Sequence, residues 1–200
     1  MFVYYILGQK GGGSKTFTAC SLGTWHAQRG KSVFFGDTDL KQHTLSNWLN
    51  RRKHKLGMTS FIGDTRTTVA NAIPAGTDIV IIDGKPNASA ETLLFAKIAH
   101  KIIIPTGSSI GNLEASAAIA DQLVANGIDR DLIVFAVTPA ASEVKGLEAA
   151  AVLQALGHTV GAILQHSPEF ERAIDAGKGA HEASAPTMRE AGQAFVAALA

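Results

Sequence analysis

A glycine-rich stretch near the amino terminus carries the residues best suited to chemistry. Residues 8–16 read Gly-Gln-Lys-Gly-Gly-Gly-Ser-Lys-Thr and join an apolar run to a segment with helical character. Glycines let bare backbone N–H groups approach a ligand, and the amino end of a helix attracts negative charge. The stretch ends in Lys15-Thr16, as phosphate-binding loops do. We therefore predict a phosphate-binding loop between the first strand and the first helix.

Three aspartates follow apolar segments at the predicted ends of strands. Asp37 and Asp39 come just after a segment that ends at Phe35, and Asp83 ends an apolar run. Of the first two, one carboxylate is expected to serve magnesium and the other to orient water. An aspartate at the tip of an apolar strand has the form of a Walker B carboxylate, which supports the magnesium shell. Aspartate is also common in plain turns, so the order of the three features carries the argument.

The rest of the chain alternates between strand-like and helix-like segments. Unbroken Val/Ile runs are typical of parallel strands that are covered on both faces. The predicted strands are 2–7, 32–35, 59–62, 78–82, 101–104, 131–137 and 160–164. The predicted helices are 16–29, 44–50, 65–73, 113–125, 142–156 and 187–199; in the fifth, an apolar stripe recurs on one face at Val144, Leu147, Ala151 and Ala155. This alternation predicts one doubly wound α/β domain over residues 1–200, with a mostly parallel sheet and helices on both faces.

Composition excludes several other classes of protein. The chain has 200 residues, of which 46% are hydrophobic and 18% charged, as in a folded domain with a substantial core. With a net charge of +1, any binding to nucleic acid must come from a local patch or from a dimer that combines patches. The single Cys20 excludes a disulfide framework within one chain and a cysteine-built metal site. There is no membrane-spanning run or secretory signal, so we expect a cytoplasmic protein.

Taken in order, these motifs resemble those of the ParA/MinD family of deviant Walker A ATPases, most closely the small plasmid-partition ParA proteins. The plain P-loop pattern G-x-x-x-x-G-K-[ST] fails at Gln9 and Ser14, but residues 10–16 resemble the family's K-G-G-x-G-K-[ST] except at Ser14. Residues 37–41 are similar to its D-x-D-P-Q, with Trp48 in the next helix. Three further stretches extend the resemblance over essentially the whole chain: 80–84, 104–106 and 170–177.

The resemblance implies a site for ATP or ADP. Lys15 would hold the β- and γ-phosphates, and Lys10 would reach across a dimer to the partner's nucleotide. Phe17 follows the loop, and Thr138 and Pro139 would lie near the adenine. The backbone N–H groups that would bind the phosphates belong to Gly11, Gly12, Gly13 and Ser14.

The resemblance also implies Mg²⁺ and a hydrolytic step. Thr16 would ligate magnesium through its hydroxyl, and Asp37 and Asp83 would support the ion through water. Asp39 would position the attacking water. The expected catalytic set is thus Asp39 together with Lys10 and Lys15.

The family's biology implies partners for this chain. The ATP-bound homodimer would bind DNA without sequence preference and associate with the nucleoid. A small ParB- or ParG-like adaptor on a centromere-like site would stimulate slow hydrolysis and drive segregation of DNA or cargo. The one basic run begins at residue 51, although basic residues also favour helix ends. The candidate DNA-binding residues are Arg51, Arg52, Lys53, Lys145, Arg172, Lys178 and Arg189.

Departures from the family pattern keep a different class of function open. Ser14 replaces a glycine beside Lys15, and a Cβ there would cost about 1 kcal/mol if the position needs positive φ. Phe17, Leu40 and Lys41 also stand where the family usually has other residues. We therefore expect weak ATP hydrolysis, with a non-hydrolysing, nucleotide-gated positioning module as the first alternative.

Three other functions on the same fold are less favoured. A small-molecule, carboxylate-activating synthetase needs polar anchors near the γ-phosphate. Membrane positioning of the MinD kind needs a basic amphipathic tail, and Arg189 is the only basic residue in 187–200. A reductase like the nitrogenase iron protein needs bridging cysteines, which Cys20 alone does not offer. The anchors available to a synthetase are Lys85, Asn87, Ser108, Ser109 and Asn112.

Overall fold

A seven-stranded sheet forms the centre of the molecule. The computed structural model describes residues 1–8, 14–85 and 90–200. The strands are β1 (Phe2–Ile6), β2 (Val33–Asp37), β3 (Met58–Ile62), β4 (Ile79–Asp83), β5 (Lys101–Thr106), β6 (Ile133–Ala140) and β7 (Thr159–Gln165). They lie in the order β3-β2-β4-β1-β5-β6-β7, and every neighbouring pair is parallel. The predicted doubly wound α/β fold is confirmed.

Helices connect the strands and cover both faces of the sheet. They are α1 (Ser14–Ala27), α2 (Thr44–Arg51), α3 (Arg66–Ala72), α4 (Ala90–Ala96), α5 (Ile110–Ala125), α6 (Glu143–Ala155), α7 (Pro168–Asp175) and α8 (Pro186–Leu199). The sequence-based expectations lack α4 and α7, which are short. The start of α7 nevertheless carries a clear signal, because Ser167 caps it by accepting from the Glu169 N–H and Pro168 occupies its first position.

Two hydrophobic cores lie on opposite faces of the sheet. On β1, Tyr4 and Ile6 belong to one core, whereas Val3 and Tyr5 belong to the other. The first core contains residues of α1, α2, α7 and α8, and the second contains residues of α3, α4, α5 and α6. The strands therefore need apolar side chains on both faces, which explains their unbroken Val/Ile runs.

Helix α6 forms as predicted, but its apolar stripe faces solvent. Val144 is 62% exposed and Leu147 is 56% exposed. The face turned to the sheet carries small residues instead, among them Gly146 and Ala149. A Cβ at Gly146 would lie 2.6 Å from a methyl group of Ile163, so this helix packs close because glycine leaves room. The predicted stripe thus does share one face of the helix, and that face is the exposed one.

Helix α8 buries its apolar face within the first core. Phe195, Val196 and Leu199 are almost completely buried there. Across the described ranges, no helix has both the length and the apolar character needed to cross a bilayer.

The register of the central strands aligns the candidate site. Asp83 on β4 pairs with Ile6 of β1 on one side and with Asp37 of β2 on the other. Strand β1 lies between β4 and β5, so the chain order changes direction here. Ligands of open α/β sheets bind beyond the carboxyl ends of strands at such a point. The two aspartates and the segment that follows β1 therefore meet at one edge.

Gly23 of α1 provides a test of this packing. A Cβ at Gly23 would lie 2.1 Å from the ring of Phe35, which is fully buried and packs edge-on against Trp48. We expect Gly23→Ala to lower the free energy of unfolding by about 1–3 kcal/mol, despite the better helix propensity of alanine. Urea denaturation measures this.

The matched control is Gly111→Ala at the start of α5, where nothing lies within 4 Å of the added Cβ. It should leave the stability unchanged or slightly raise it. Equal effects of the two substitutions would contradict the packing argument.

Candidate nucleotide-binding site

Lys15 lies in the first turn of α1 and is 7% exposed. Burial lowers the pKa of its ammonium group, while the charges of Asp83 and Asp39 act in the opposite direction. A buried cation at the amino end of a helix is suited to holding phosphate oxygens. The predicted ligands Lys10, Gly11, Gly12 and Gly13 lie outside the described residues.

Asp83 is a buried carboxyl group at the centre of the site. The Thr16 hydroxyl donates a hydrogen bond of 2.6 Å to its Oδ2, whereas its Oδ1 is buried without a partner among the described residues. Burial raises the pKa of Asp83 to about 7, and Asp37 and Asp39 act in the same direction; the Thr16 hydrogen bond and Lys15 oppose them. A carboxylate oxygen buried without a partner is costly, so this atom needs a cation or a donor.

These residues fit a magnesium ion that is held mainly by a nucleotide. Within the ranges 1–8, 14–85 and 90–200, no group of three or more His, Cys, Asp or Glu side chains forms a metal cage. Mg²⁺ usually keeps several waters and takes few protein ligands when phosphates are present. The Thr16 hydroxyl and the free Oδ1 of Asp83 are oxygen donors beside Lys15, as such a site requires.

Asp37 is committed to local structure more than the sequence indicates. Its Oδ2 accepts from the backbone N–H of Ser46 at 3.1 Å, and its Oδ1 accepts from that of Asp39 at 3.3 Å. It is 1% exposed. Asp37 thus fixes the start of α2 and the turn after β2. Its predicted support of magnesium stays a prediction.

Asp39 lies in the turn between β2 and α2 and is partly exposed. Its Oδ1 accepts from the backbone N–H groups of Lys41 and Gln42 at 3.0 and 3.2 Å. Its Oδ2 has no partner among the described residues. The charge of Asp39 acts on both Lys15 and Asp83, so it faces the same site.

Thr38 is a structural residue of the site that sequence reasoning missed. Its hydroxyl donates to the Asp83 carbonyl at 2.8 Å and accepts from the Lys85 N–H at 2.7 Å. Gly84 is fixed as well, because its N–H donates to the Ile6 carbonyl and a Cβ would lie 2.7 Å from that oxygen. The ends of β2, β4 and β1 are thereby tied together. A hydroxyl between two aspartates at a strand end is the signal that points to Thr38.

A cavity of about 270 Å³ lies beside the amino end of α1. It brings together four predicted nucleotide residues, Ser14, Phe17, Thr138 and Pro139. The Phe17 ring packs edge-on against Phe170, with centroids 6.0 Å apart. A small aromatic-walled cavity of this size suits a planar base. His166 also lines this cavity, and the lining residues that sequence reasoning missed are Leu164, Gln165, Ser167, Phe170, Glu171, Ile174 and Asp175.

Ser14 does not have a strained backbone. It is the first residue of α1, and among described non-glycine residues only His43 and Leu56 have positive φ. The Ser14 carbonyl accepts from the Thr18 hydroxyl at 2.7 Å, as in an ordinary first turn. A serine fits a helical position, so the expected steric cost is absent.

The candidate DNA-binding residues do not form one surface. Arg51, Lys53 and Lys178 are exposed and lie together, because Gly177 contacts the backbone at the end of α2. Lys145 lies on α6, across the sheet, and pairs with Glu148. The remaining two are engaged locally, Arg172 with Glu169 and Arg189 with the carbonyls of Ala183 and Ser184.

Arg52 is buried and is not available to contact phosphate. It is 9% exposed and forms a bidentate pair with Glu182, with distances of 2.7 and 2.9 Å. Its guanidinium also donates to the carbonyls of Gly177 and His54, both at 2.9 Å. Its inclusion among the surface cations is therefore wrong, because its charge is paired with Glu182 inside the protein. The sequence alone does not show which arginine of a basic run turns inward.

Three of the five residues considered as anchors for a synthetase substrate lie around one cavity. Ser108, Ser109 and Asn112 line a second cavity that also reaches Lys15. Lys85 does not line this cavity; its backbone N–H donates to the Thr38 hydroxyl just after β2. Asn87 lies outside the described residues.

The parallel sheet, the buried lysine at the start of α1 and the Thr16–Asp83 pair define a nucleotide-binding α/β protein of the P-loop type. The chain belongs to the CobQ/CobB/MinD/ParA nucleotide-binding domain family (CbiA), whose profile matches residues 4–178. No curated protein matches the sequence.

Several solved structures share the fold over nearly their whole length. The cell-division ATPase MinD of Pyrococcus furiosus is 16% identical, with a TM-score of 0.77 and coverage of 99% of this chain and 98% of that chain. A putative plasmid partition protein of Borrelia burgdorferi bound to AMPPNP is 13% identical, with a TM-score of 0.75 and the same coverage. MinD of Pyrococcus horikoshii complexed with Mg-ADP is 16% identical, with a TM-score of 0.73 and coverage of 98% and 93%. The chain therefore has the fold of the MinD and ParA ATPases.

Replacing Asp83 tests its burial. The folded chain keeps the Asp83 proton up to a pKa of about 7, whereas the unfolded chain loses it near 3.8. Between these values the folded state binds more protons, so this contribution to stability falls as pH rises. Asn does not titrate. We expect nucleotide-free Asp83→Asn to melt at least about 2–4 °C above wild type at alkaline pH, and the difference to vanish below pH ~4.

Melting temperatures measured against pH check this expectation. The control is Glu114→Gln on the exposed side of α5, which should follow the wild-type curve. A difference between wild type and Asp83→Asn that stays constant across the pH range would contradict the shifted titration.

Proposed function

We propose that this chain is a partition-type positioning ATPase. ATP with Mg²⁺ would join two copies, the dimer would bind DNA without sequence preference, and a small ParB- or ParG-like adaptor would stimulate slow hydrolysis. The observation that carries this proposal is the Thr16–Asp83 pair beside Lys15, in which one carboxylate oxygen is buried and has no partner in the described part of the chain. That arrangement is suited to a metal-bound nucleotide. Similar folds have been solved with AMPPNP and with Mg-ADP.

The described residues have distinct tasks in hydrolysis under this proposal. Lys15 holds phosphate oxygens and places positive charge where negative charge develops. Asp39, whose Oδ1 is fixed by its own turn, directs its free Oδ2 at the attacking water. Magnesium, when bound, neutralises phosphate charge next to Thr16 and Asp83. Turnover is slow because positioning depends on a partner and not on a strong base.

Exposed apolar residues at the carboxyl edge of the sheet support the proposal of a dimer. Ile110 at the start of α5 is 74% exposed, and Leu40 in the turn after β2 is 51% exposed. Both flank the segments that hold the candidate site. Covering them would remove apolar area from water. A second copy placed face to face, with Lys10 of each copy at the other's nucleotide, would do this.

The basic end of α2 supports the proposal of DNA binding. Arg51, Lys53, Lys55 and Lys178 are exposed and form no ion pair among the described residues. We call these four residues the α2 basic surface. A dimer presents this surface twice, which compensates for a net charge of only +1 per chain. The resulting localisation would be on the nucleoid.

Lys15→Ala tests the nucleotide dependence. We expect wild type to bind a random-sequence DNA duplex about 5–150-fold more tightly with ATP than with ADP or without nucleotide. Lys15→Ala should lose this difference because it lacks the buried ammonium that holds the phosphates. Fluorescence anisotropy at low salt measures it.

Lys97→Ala, an exposed lysine after α4, is the control and should behave as wild type. If ATP leaves the DNA affinity of wild type unchanged, the partition function is wrong. ATP-dependent binding without any turnover would favour the non-hydrolysing positioning module.

A second test locates the DNA. The triple variant Arg51→Ala/Lys53→Ala/Lys178→Ala takes away three cations per chain that would each neutralise a phosphate. We expect its salt dependence, log K against log salt, to become shallower by about 0.9 for each phosphate no longer neutralised, while ATP affinity is retained. The matched control is Lys31→Ala/Arg66→Ala/Lys97→Ala, which removes three exposed charges elsewhere. A reduction of DNA affinity confined to the control would place the DNA on another surface.

A further inference from the structure

The two edges of the sheet are built differently. Strand β7 forms one edge, and the register between it and β6 shifts twice along its length. The end of α8 also lies close to β7, since a Cβ on Gly161 would be 3.8 Å from the Ala198 carbonyl oxygen. Irregular pairing and a nearby helix both hinder a sheet edge from joining another strand.

Strand β3 forms the other edge and is regular. Its five residues pair with β2 in one unbroken register, and their sequence, Met-Thr-Ser-Phe-Ile, has no charged residue, proline or glycine. Helices α2 and α3 pack against β3 and belong to the cores on opposite faces of the sheet. Thr59 is exposed, and Phe61 keeps 38% of its surface in water. An edge strand of this kind is suited to pairing with another strand.

The backbone of β3 turns hydrogen-bonding groups outward. The Gly63 N–H donates to the Asp37 carbonyl of β2 at 3.0 Å, so the backbone groups of Gly63 face the sheet. These groups alternate between the two sides of a strand, so Phe61 also bonds to β2, whereas Ser60 and Ile62 turn theirs away from it. The N–H groups of Ser60 and Ile62 have no acceptor in the described part of the chain.

The two ends of this edge carry opposite charge. Lys53 and Lys55 are exposed just before β3. Asp64 follows the strand, and Glu91 of α4 lies at the same end, because its carboxylate accepts from the Arg66 N–H at 2.8 Å. Two copies of the edge placed antiparallel would bring the lysines of one beside the carboxylates of the other. A parallel arrangement would bring like charges together.

We propose that β3 is a self-association edge, to which a second copy of this chain adds its own β3 in antiparallel orientation. A twofold axis at Ser60 fits the outward groups, since the two Ser60 residues exchange both hydrogen bonds. The Ile62 N–H of each copy then donates to the Met58 carbonyl of the other. The Met58 N–H is not needed, because it already donates to the Lys55 carbonyl at 2.8 Å.

The same register pairs the exposed side chains. Phe61 of each copy lies directly opposite Thr59 of the other, at a position where cross-strand side chains come close. Lys55 of each copy lies beside Asp64 of the partner subunit. The exposed apolar ring and both charged ends are thus used, and the two sheets become one continuous sheet.

This pair differs from the ATP-dependent dimer proposed above. That dimer covers the carboxyl ends of the strands, near Leu40 and Ile110, whereas this pair uses the side of the outermost strand. Edge pairing needs no nucleotide. The two assemblies therefore respond differently to ATP, and the failure of one leaves the other standing.

Sedimentation equilibrium of the full, nucleotide-free chain tests the proposal. We expect the average mass to rise from the monomer value of 20.9 kDa toward twice that value as the protein concentration increases. A short edge makes a small interface, so the rise should fall at roughly 10–300 μM. Adding ADP should not change it.

Two variants of the edge should remain at the monomer mass over this range. Ser60→Pro removes the outward N–H at the twofold axis and keeps the bonds from β3 to β2. Thr59→Lys places a charge on the edge at an exposed position, which covers the case that the proline variant does not fold. Thr187→Lys, at an exposed threonine of α8, is the matched control and should dimerise as wild type does.

A charge exchange tests the antiparallel orientation. Asp64→Lys should weaken dimerisation about 3–10-fold, because each of the two symmetric charge pairs becomes repulsive. Lys55→Asp should do the same. The double variant Lys55→Asp/Asp64→Lys should restore the wild-type association, which a loss of folding or a foreign partner would not explain.

Three results would overturn the proposal. The nucleotide-free wild type could stay at 20.9 kDa throughout, even if it captured an extended segment of another protein. Its dimer could be equally strong in Ser60→Pro and Thr59→Lys. A dimer that forms only with ATP would be the face-to-face assembly, and edge pairing would be wrong.

Discussion

The burial of one carboxylate at the end of the central strand β4 constrains the rest of this structure. Asp83 is held by the Thr16 hydroxyl from α1, while its own backbone is tied to Thr38 from β2. Gly84 must be a glycine because its backbone contacts Ile6 of β1. Three strand ends and the first helix therefore meet around an oxygen that has no partner within residues 1–8, 14–85 and 90–200. The fold provides this position, and a cation with its phosphates would offset the cost.

Helix α2 connects this site to a different surface. Its start is fixed by Asp37, which accepts from the Ser46 N–H, and its end is fixed by Arg52, which pairs with Glu182. Burial would raise the pKa of Glu182, but the hydrogen bonds from Arg52 and the Gly179 N–H outweigh it and hold the pKa below its usual value. An eight-residue helix is ~12 Å long. A single short helix therefore joins the residue that Asp37 fixes at the site to the α2 basic surface.

Much of the fold could be predicted from the sequence, because parallel strands buried on both faces leave a pattern that needs no tertiary knowledge. The order of loop, Asp37 and Asp83 likewise predicted that the two aspartates lie together at one sheet edge, as they do. What the pattern could not show is how each residue is used. Asp37 accepts hydrogen bonds from backbone groups nine and two residues away. The face of α6 depended on Gly146 fitting against Ile163, a contact between distant parts of the chain.

The position of Trp48 gives the molecule an optical consequence. Trp48 is fully buried in the middle of α2, edge-on to Phe35, and its indole N–H donates to the Lys178 carbonyl at 3.2 Å. Trp25, the other tryptophan, is partly exposed on α1, with the guanidinium of Arg29 stacked 3.2 Å from its ring centre. The Trp48 indole therefore emits from an apolar interior, and the Trp25 indole from a partly solvent-exposed position. The shorter-wavelength part of the intrinsic fluorescence spectrum comes from Trp48 and therefore reports on α2, which lies between the candidate nucleotide site and the α2 basic surface.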